Sequence, residues 1–224
     1  MNARPQWWRI AGWSTFVVAL GALGAASHNA KEKPNELPIF FQWSFGVGAV
    51  VQYALTVGIL LAIAIGLPPR EVFALRRPRS WPRALGIGVA ILVGIYVLGA
   101  VVARFIDPGE AQGIVPKHWV GGHAGAFAFS LVAVAVVAPV VEELMFRGLG
   151  FYLLRPLGEW PAIVLVGIAF GVAHGLYAGF VLLAPFGAAL AYLRSRSDSV
   201  YPGMFVHGLF NLVAVLGSVF LGSN

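Results

Sequence analysis

The chain has 224 residues, of which 59% are hydrophobic and only 11% are charged. Because soluble domains carry about 25% charged residues, this composition excludes an ordinary soluble domain and predicts an all-α polytopic membrane bundle. The absence of cysteine excludes disulfides, thiolate ligands and a thiol nucleophile. The net charge of +6 does not indicate a nucleic-acid partner, because the arginines cluster between apolar segments, as they do in cytoplasmic loops.

The first apolar run covers residues 10–27 and follows Arg4 and Arg9. A basic flank before an apolar core is also typical of a cleaved signal peptide. We favour a retained first span, because the run approaches the roughly 20 residues that cross a bilayer. The second and third spans are predicted at 38–67 and 84–106.

Between the second and third spans, residues 68–83 contain five arginines. This pattern predicts a cytoplasmic loop that fixes topology, and it is compatible with a short amphipathic helix on anionic lipid. Polar linkers are predicted at 28–38 and 107–123.

A long helical run is predicted over residues 124–154, and three further spans follow it, at 160–177, 179–193 and 200–221. We predict about seven spans and a cytoplasmic N-terminus. In this topology ten basic residues lie on the cytoplasmic side and four on the opposite side, when Arg147 is not counted. This distribution follows the positive-inside rule. Within one membrane domain, we divide the chain into N-terminal helices with the basic loop (1–123) and a C-terminal core that carries the functional residues (124–224).

The long run contains Glu142, Glu143 and Arg147 after an uncharged stretch. A carboxylate inside a bilayer costs several kcal/mol unless it is paired, neutralised or hydrated, so such residues indicate a site. Glu143 and Arg147 are four residues apart and can pair on one helix face. Glu142 lies about 100° around the helix from Glu143, so it is free to point elsewhere. Pro139, one turn earlier, predicts a kink and a freed backbone carbonyl.

Two later spans carry polar pairs at helical spacing. His174 follows Phe170 by four residues, and Asn211 follows His207 by four, so each pair shares a helix face. A single such pair is usually an interhelical hydrogen bond, which contributes about 0.6–2 kcal/mol. Counted from the helix ends, the histidines and Glu142 lie at similar depths, so we expect the polar faces to converge on one site.

A carboxylate, two imidazoles and a carboxamide are a hydrolytic set. Glu142 can act as general base on a water molecule, and His174 can orient that water and share its proton. His207 and Asn211, on one face, can donate hydrogen bonds to a developing oxyanion. The Glu143–Arg147 pair would then hold the helix in place.

Two other mechanisms, one with a zinc ion and one with a serine nucleophile, fit the sequence less well. Glu142, His174 and His207 could hold Zn²⁺ with an open position, but no HExxH motif occurs and Asn211 suits a hydrogen-bond donor better than a zinc ligand. We therefore prefer a mechanism that requires no cofactor and keep a divalent metal as the alternative. A serine mechanism is less favoured, because Ser130 is not part of a GxSxG motif.

The three motifs occur in separate predicted helices, in one order along the chain. They are EExxxR (Glu142, Glu143, Arg147), FxxxH (Phe170, His174) and HxxxN (His207, Asn211). This ordered set resembles the CPBP family, which comprises the Rce1-like type II CAAX prenyl proteases and the bacteriocin-processing or immunity proteins also called Abi. The motifs lie within about the C-terminal 40% of the chain.

The resemblance implies an all-α intramembrane endopeptidase. The family is often described as metalloproteases, whereas its eukaryote-type branch is interpreted as glutamate proteases. In that interpretation the first glutamate and first histidine activate water, and the second histidine and the asparagine form the oxyanion hole. These roles fall on Glu142, His174, His207 and Asn211, and no motif position departs from the pattern.

The expected substrate is a membrane-associated peptide or protein, and the other partner is the lipid bilayer. CAAX processing needs a prenylated protein, whereas this Ala-, Gly- and Arg-rich chain looks like a protein of a bacterial plasma membrane. A non-catalytic scaffold or bacteriocin immunity protein is the alternative function. A transporter or proton relay is a third, which the lack of a detectable inverted repeat weakens.

Overall fold

The protein is a bundle of long helices in the computed structural model, which describes residues 6–28, 37–105, 116 and 118–221. No β-strand occurs within these ranges, and six of the helices are long and apolar enough to cross a membrane. The predicted all-α polytopic membrane bundle is therefore confirmed. The linkers predicted at 28–38 and 107–123 lie largely outside the described residues.

We number the helices in chain order. Their bounds are α1 (Trp7–His28), α2 (Trp43–Ile63), α3 (Pro69–Val72), α4 (Trp81–Val102), α5 (Ala124–Leu157), α6 (Glu159–Ala173), α7 (Tyr177–Ser197) and α8 (Tyr201–Leu221). Helix α3 is a single turn within the predicted basic loop, and a short 3-10 turn at Ile39–Phe41 precedes α2. The boundary drawn at residue 124 coincides with the start of α5.

The fifth predicted span, at 160–177, is shorter than expected. Helix α6 has 15 residues, or about 22 Å at 1.5 Å per residue, against the roughly 30 Å of a bilayer core. It ends early because Gly175 has a φ of +65°, and a Cβ there would collide with the backbone of Gly21 in α1. This end leaves His174, the C-cap residue of α6, short of the far membrane surface.

Helix α1 is packed into the bundle. The Trp13 indole is 3% exposed and donates a hydrogen bond to the Met145 carbonyl of α5 at 3.1 Å. Gly21 lies so close to the Val172 backbone that a Cβ would collide with its carbonyl oxygen. These contacts support the prediction of a retained first span.

Helix α5 is α-helical except for two π-helical stretches and a 3-10 turn at its end. Two π-helical stretches, Ala133–Val137 and Leu144–Gly150, flank the α-helical segment Ala138–Glu143 that ends in the acidic pair. Single π-turns inside α-helices occur frequently at functional sites. Both carboxylates of the predicted motif therefore stand at the end of an α-helical segment, directly before the second π-helical stretch.

Pro139 accounts for the first π-turn. The N–H of Ala138 donates to the carbonyl of Ala133, five residues back. The next carbonyl, that of Val134, would receive its π-type hydrogen bond from residue 139, but proline has no N–H. The carbonyl freed by Pro139, which the sequence predicts, is therefore that of Val134.

Helices α6 and α7 cross so closely that their backbones are almost in contact. A Cβ on Gly167 would lie 2.7 Å from the Ala188 Cβ and 2.8 Å from the Ala184 carbonyl oxygen. Gly187 faces this point from α7, where a Cβ would lie 2.8 Å from Phe170 Cβ. Small residues at both positions let the two helices approach closely, as membrane helices often do.

The basic residues predicted to be cytoplasmic gather at one end of the bundle. The side chain of Arg76, in the loop before α4, pairs with Asp198 after α7 at 2.9 Å. Arg79 donates its backbone N–H to the Ser197 carbonyl at 3.0 Å, and Arg9 donates to the Ile65 carbonyl at 2.9 Å. The arrangement agrees with the positive-inside rule; that this end is cytoplasmic stays a prediction.

We expect Gly167→Ala to lower the free energy of unfolding by about 1–3 kcal/mol, because the added methyl group forces α6 and α7 apart. The measurement is thermal unfolding of the purified protein in detergent. Gly58→Ala in α2 is the matched control, since a Cβ there meets nothing within 4 Å, and it should not destabilise the protein. Equal loss in both variants would contradict the close crossing.

Candidate active site

Glu143 and Arg147 form an ion pair in the interior of the bundle. Arg147 Nη1 donates to Glu143 Oε1 at 2.8 Å, and both side chains are completely buried. Arg147 Nη2 also donates to the Gly187 carbonyl of α7 at 2.9 Å. Glu143 Oε1 lies 3.2 Å from His207 Nδ1 of α8. The predicted pairing within α5 is thus confirmed, and it extends to two neighbouring helices.

Glu142 points away from this ion pair, as its position on the helix predicts. Its Oε1 accepts a hydrogen bond from the Tyr53 hydroxyl of α2 at 2.8 Å. Its Oε2 is buried without a hydrogen-bond partner among the described residues. That oxygen lies 3.7 Å from His207 Nε2 and 4.0 Å from His174 Nε2. The structure therefore brings one carboxylate oxygen and two imidazole nitrogens together.

Both imidazoles are oriented by a partner on the opposite ring nitrogen. His174 Nδ1 lies 2.7 Å from the Phe170 carbonyl oxygen, which can only accept, so Nδ1 carries the hydrogen. His207 Nδ1 likewise faces the carboxylate of Glu143. Each ring consequently presents its Nε2 to Glu142. When the histidine is neutral this nitrogen is an acceptor, and when the histidine is protonated it is a donor.

Asn211 lies on the same face of α8 as His207, one turn further on. Its Nδ2 donates to the Val134 carbonyl of α5 at 2.9 Å, the carbonyl that Pro139 leaves without a backbone donor. A carboxamide nitrogen has two hydrogens. One is thus used to fix the side chain, and the other is left for a ligand in the cavity.

Phe170 occupies the centre of the polar cluster and is completely buried. Its ring centroid is 4.6 Å from that of His174 and 5.5 Å from that of His207. The Arg147 guanidinium carbon lies 4.6 Å from the same centroid, a cation–π distance. The phenylalanine of the FxxxH motif therefore packs against the other motif side chains and leaves them little freedom to turn.

Two cavities meet at Glu142. The first has a volume of about 330 Å³, is lined mostly by apolar side chains, and contains His207 and Asn211. The second, about 550 Å³, lies beside α1 and α2 and includes Gln52 and Thr56. Glu142, Tyr53 and His174 line both cavities. The carboxylate can thus be reached by a ligand from one side and by water from the other.

Tyr53 is the site residue that the sequence analysis missed. A lone tyrosine in an apolar helix is an ordinary packing residue, and no motif includes it. The available signal was weak: Gln52, Tyr53 and Thr56 form a short polar stripe within the otherwise apolar α2. Nothing in that stripe indicates a partner 89 residues away.

The side chains named for a metal fit an ion poorly as they stand. The oxygen and the two nitrogens of the His₂Glu set are 3.7 and 4.0 Å apart, wider than the about 3.3 Å between neighbouring ligands of a tetrahedral zinc ion. Within the described part of the chain, no group of three or more His, Asp or Glu side chains is arranged to hold a metal. The mechanism without a cofactor and the alternative with a divalent metal both stay predictions, which the chelator experiment below separates.

Removing Arg147 alone should be strongly destabilising. Arg147→Met leaves the buried carboxylate of Glu143 without its counter-ion, which costs about 3–5 kcal/mol of folding free energy. The double variant Glu143→Met/Arg147→Met removes both charges and should recover most of that loss. Chemical unfolding in detergent measures both variants, and a double variant no more stable than the single one would contradict this account.

Comparison with known proteins agrees with the geometry. A family model described as type II CAAX prenyl endopeptidase Rce1-like matches residues 124–213, the segment that contains every residue of the three motifs. An uncharacterized 24.3 kDa protein of Escherichia coli is 24% identical over 169 residues, covering 73% of this chain and 75% of its own length. No solved structure matches the chain.

The family model matches the part of the chain in which α5, α6 and α8 bring their polar side chains together. It confirms the family predicted from the motifs, and it supports a membrane endopeptidase in general terms. Residues 124–213, which hold every motif side chain of the polar cluster, therefore match the model of the Rce1-like type II CAAX prenyl endopeptidases.

Proposed function

We propose that the protein is an intramembrane endopeptidase in which Glu142 activates the water that cleaves a peptide bond. One observation carries the proposal. Both glutamates keep one carboxylate oxygen without a hydrogen-bond partner among the described residues. Glu143 is neutralised by Arg147, whereas the free oxygen of Glu142 lies 3.7 Å and 4.0 Å from two imidazole nitrogens. If both carboxylates were only structural, Glu142 would not need to face two imidazoles.

The first step is attack by water on the substrate carbonyl. Glu142 Oε2 takes a proton from the water as its oxygen bonds to the carbonyl carbon, and the electron pair of the C=O bond moves to the oxygen. His174, held through Nδ1 by the Phe170 carbonyl, offers Nε2 as an acceptor for the second hydrogen of the water. The Tyr53 hydrogen bond on Oε1 keeps the carboxylate turned towards the histidines.

The second step is collapse of the tetrahedral intermediate. His207, when protonated, and Asn211 each have one N–H free to donate to the oxyanion, and such preorganised donors stabilise a developing charge strongly. The Glu143 carboxylate lies 3.2 Å from His207 Nδ1 and so holds the ring with its Nε2 towards the cavity. As the C–N bond breaks, Glu142 returns its proton to the leaving nitrogen, giving a carboxylic acid, which keeps the second hydrogen of the water, and an amine.

The substrate that fits this site is a membrane-associated peptide or protein. The cavity with the two oxyanion donors is lined mainly by apolar side chains such as Ile95, Leu182, Phe186 and Phe210. It lies within helices suited to a membrane. An extended segment with apolar side chains can place its carbonyl beside Glu142 there, while water reaches the carboxylate through the second cavity. A bacterial membrane peptide or signalling protein is the substrate we expect.

Glu142→Gln should lower peptide cleavage by about 10²–10⁴-fold, because the carboxamide keeps the shape of the side chain but cannot take the proton. The assay uses proteoliposomes with a quenched library of membrane-proximal and prenylated peptides, with and without a chelator. On the preferred mechanism, wild-type turnover survives the chelator. Loss of turnover that Zn²⁺ restores would instead place a metal at Glu142, His174 and His207.

Glu71→Gln is the matched control for this experiment, since it makes the same substitution at an exposed glutamate in the basic loop. It should cleave like the wild type. If Glu142→Gln folds and cleaves as fast as the wild type, Glu142 is not the base. If the wild type cleaves no peptide, the site favours the scaffold function instead.

Tyr53→Phe should lower kcat by about 10- to 100-fold with little change in KM, because it removes one hydrogen bond to a charged group. Its effect would come from a misdirected Glu142, so Tyr53 is a positioning residue. Tyr96→Phe is the control: Tyr96 lines the same cavity, and its hydroxyl makes no hydrogen bond to the described residues. Equal kcat values for the two variants would exclude this role for Tyr53.

A further inference from the structure

Four arginines converge on a cavity at the basic end of the bundle that shares no lining residue with the two cavities beside Glu142. It has a volume of about 390 Å³ and lies where α4 begins, where α5 meets α6 and where α7 ends. The arginines are Arg79, Arg83, Arg155 and Arg196, and Glu159 is the one acidic residue among the lining residues that the structure describes. Four positive charges and one negative give the lining a net charge of +3.

Glu159 offsets only one of the four positive charges in the lining. The Ser195 hydroxyl donates to it, Arg196 Nη2 lies 2.6 Å from its Oε1, and Arg155 Nη2 lies 3.8 Å from its Oε2. Arg196 Nε is buried with no acceptor among the described residues. An anion in this cavity would supply acceptor oxygens that the protein lacks.

Arg79 and Arg83 leave further positive charge uncompensated. Arg83 forms no ion pair with any residue that the structure describes, and Arg79 reaches Asp198 only at 4.0 Å, with 72% of its side chain exposed. Both arginines flank Ser80, the N-cap of α4, which also lines the cavity. The N-terminus of this 22-residue helix adds a partial positive charge.

The cavity continues directly into the apolar surface of the bundle. Ala84 and Ile87, in the first turns of α4, form part of its lining. Beside them, Leu85 is 42% exposed and Trp160 is 63% exposed; tryptophan is typical of the membrane–water interface. A ligand with an anionic head and apolar chains can therefore occupy the cavity and lie along the helices at once.

We propose that this cavity binds the phosphate headgroup of an anionic phospholipid in the leaflet at the basic end of the bundle. Guanidinium groups bind phosphate oxygens through paired hydrogen bonds, and basic pockets between membrane helices bind anionic headgroups. The bound lipid links the ends of α4, α6 and α7, which come from separate parts of the chain. This site does not depend on the proposed peptidase activity.

A neighbouring basic cavity of about 260 Å³ is a poorer site for the same ligand. Its lining includes Glu71 and Asp198 as well as arginines. Asp198 pairs with Arg76 at 2.9 Å and with Arg194 at 3.1 Å, so the two arginines that line only this cavity already have a carboxylate partner. The cavity with the net charge of +3 is therefore the one in which a bound anion is stabilised most.

The test is native mass spectrometry of the full chain in detergent, titrated with phosphatidylglycerol or with phosphatidylcholine of the same acyl chains. The wild type should bind phosphatidylglycerol more tightly. Arg79→Gln/Arg83→Gln should weaken that binding about 20-fold, which corresponds to about fivefold for each charge lost near an anionic headgroup. The matched control is Arg70→Gln/Arg77→Gln, which removes the same charge from exposed positions of the same loop that line neither basic cavity and should bind as the wild type does.

Equal weakening in the two double variants would overturn the proposal, because it would show attraction to the basic surface in general. Equal binding of the two lipids by the wild type would overturn it as well. Displacement of phosphatidylglycerol by equimolar inorganic phosphate would assign the cavity to a soluble anion instead. If the cavity variant fails to fold, the single variants Arg83→Gln and Arg77→Gln are compared in the same titration. Each removes one positive charge, and only Arg83→Gln should weaken the binding of phosphatidylglycerol.

Discussion

The ion pair between Glu143 and Arg147 is the interaction on which the rest of the site depends. Two charges inside an apolar bundle are tolerable only when they face each other and their remaining groups find partners. Arg147 therefore also binds the Gly187 carbonyl, and Glu143 also faces His207. Because these partners lie on α7 and α8, satisfying one ion pair fixes the relative positions of three helices.

That constraint also determines where the reactive group points. Consecutive residues of a helix project about 100° apart, so once Glu143 is turned into the ion pair, Glu142 must face the space between α2, α6 and α8. Pro139 contributes from the same helix, since the carbonyl it frees at Val134 holds Asn211 in place. One helical segment thus supplies the carboxylate and positions a candidate oxyanion donor.

The charged and polar residues of the site could be predicted from the sequence because a membrane makes each of them costly and therefore informative. The pairing of Glu143 with Arg147 and the separate direction of Glu142 followed from helical geometry. Tyr53 could not be predicted, since its partner lies on another helix and tyrosine is unremarkable in an apolar span. The early end of α6 depends on a close contact with α1, and the lining of the basic cavity comes from three separate segments, so neither has a local signal.

Cleavage of a membrane peptide in oxygen-18 water would test most directly whether Glu142 activates water as a base. After a single turnover, the account predicts one labelled oxygen in the new C-terminal carboxylate of the product and none in the side chain of Glu142. Label in the Glu142 carboxylate would show that it attacks the substrate as a nucleophile. Product without label after the first turnover would show that water does not attack the peptide directly. Either result would contradict the mechanism proposed for this site.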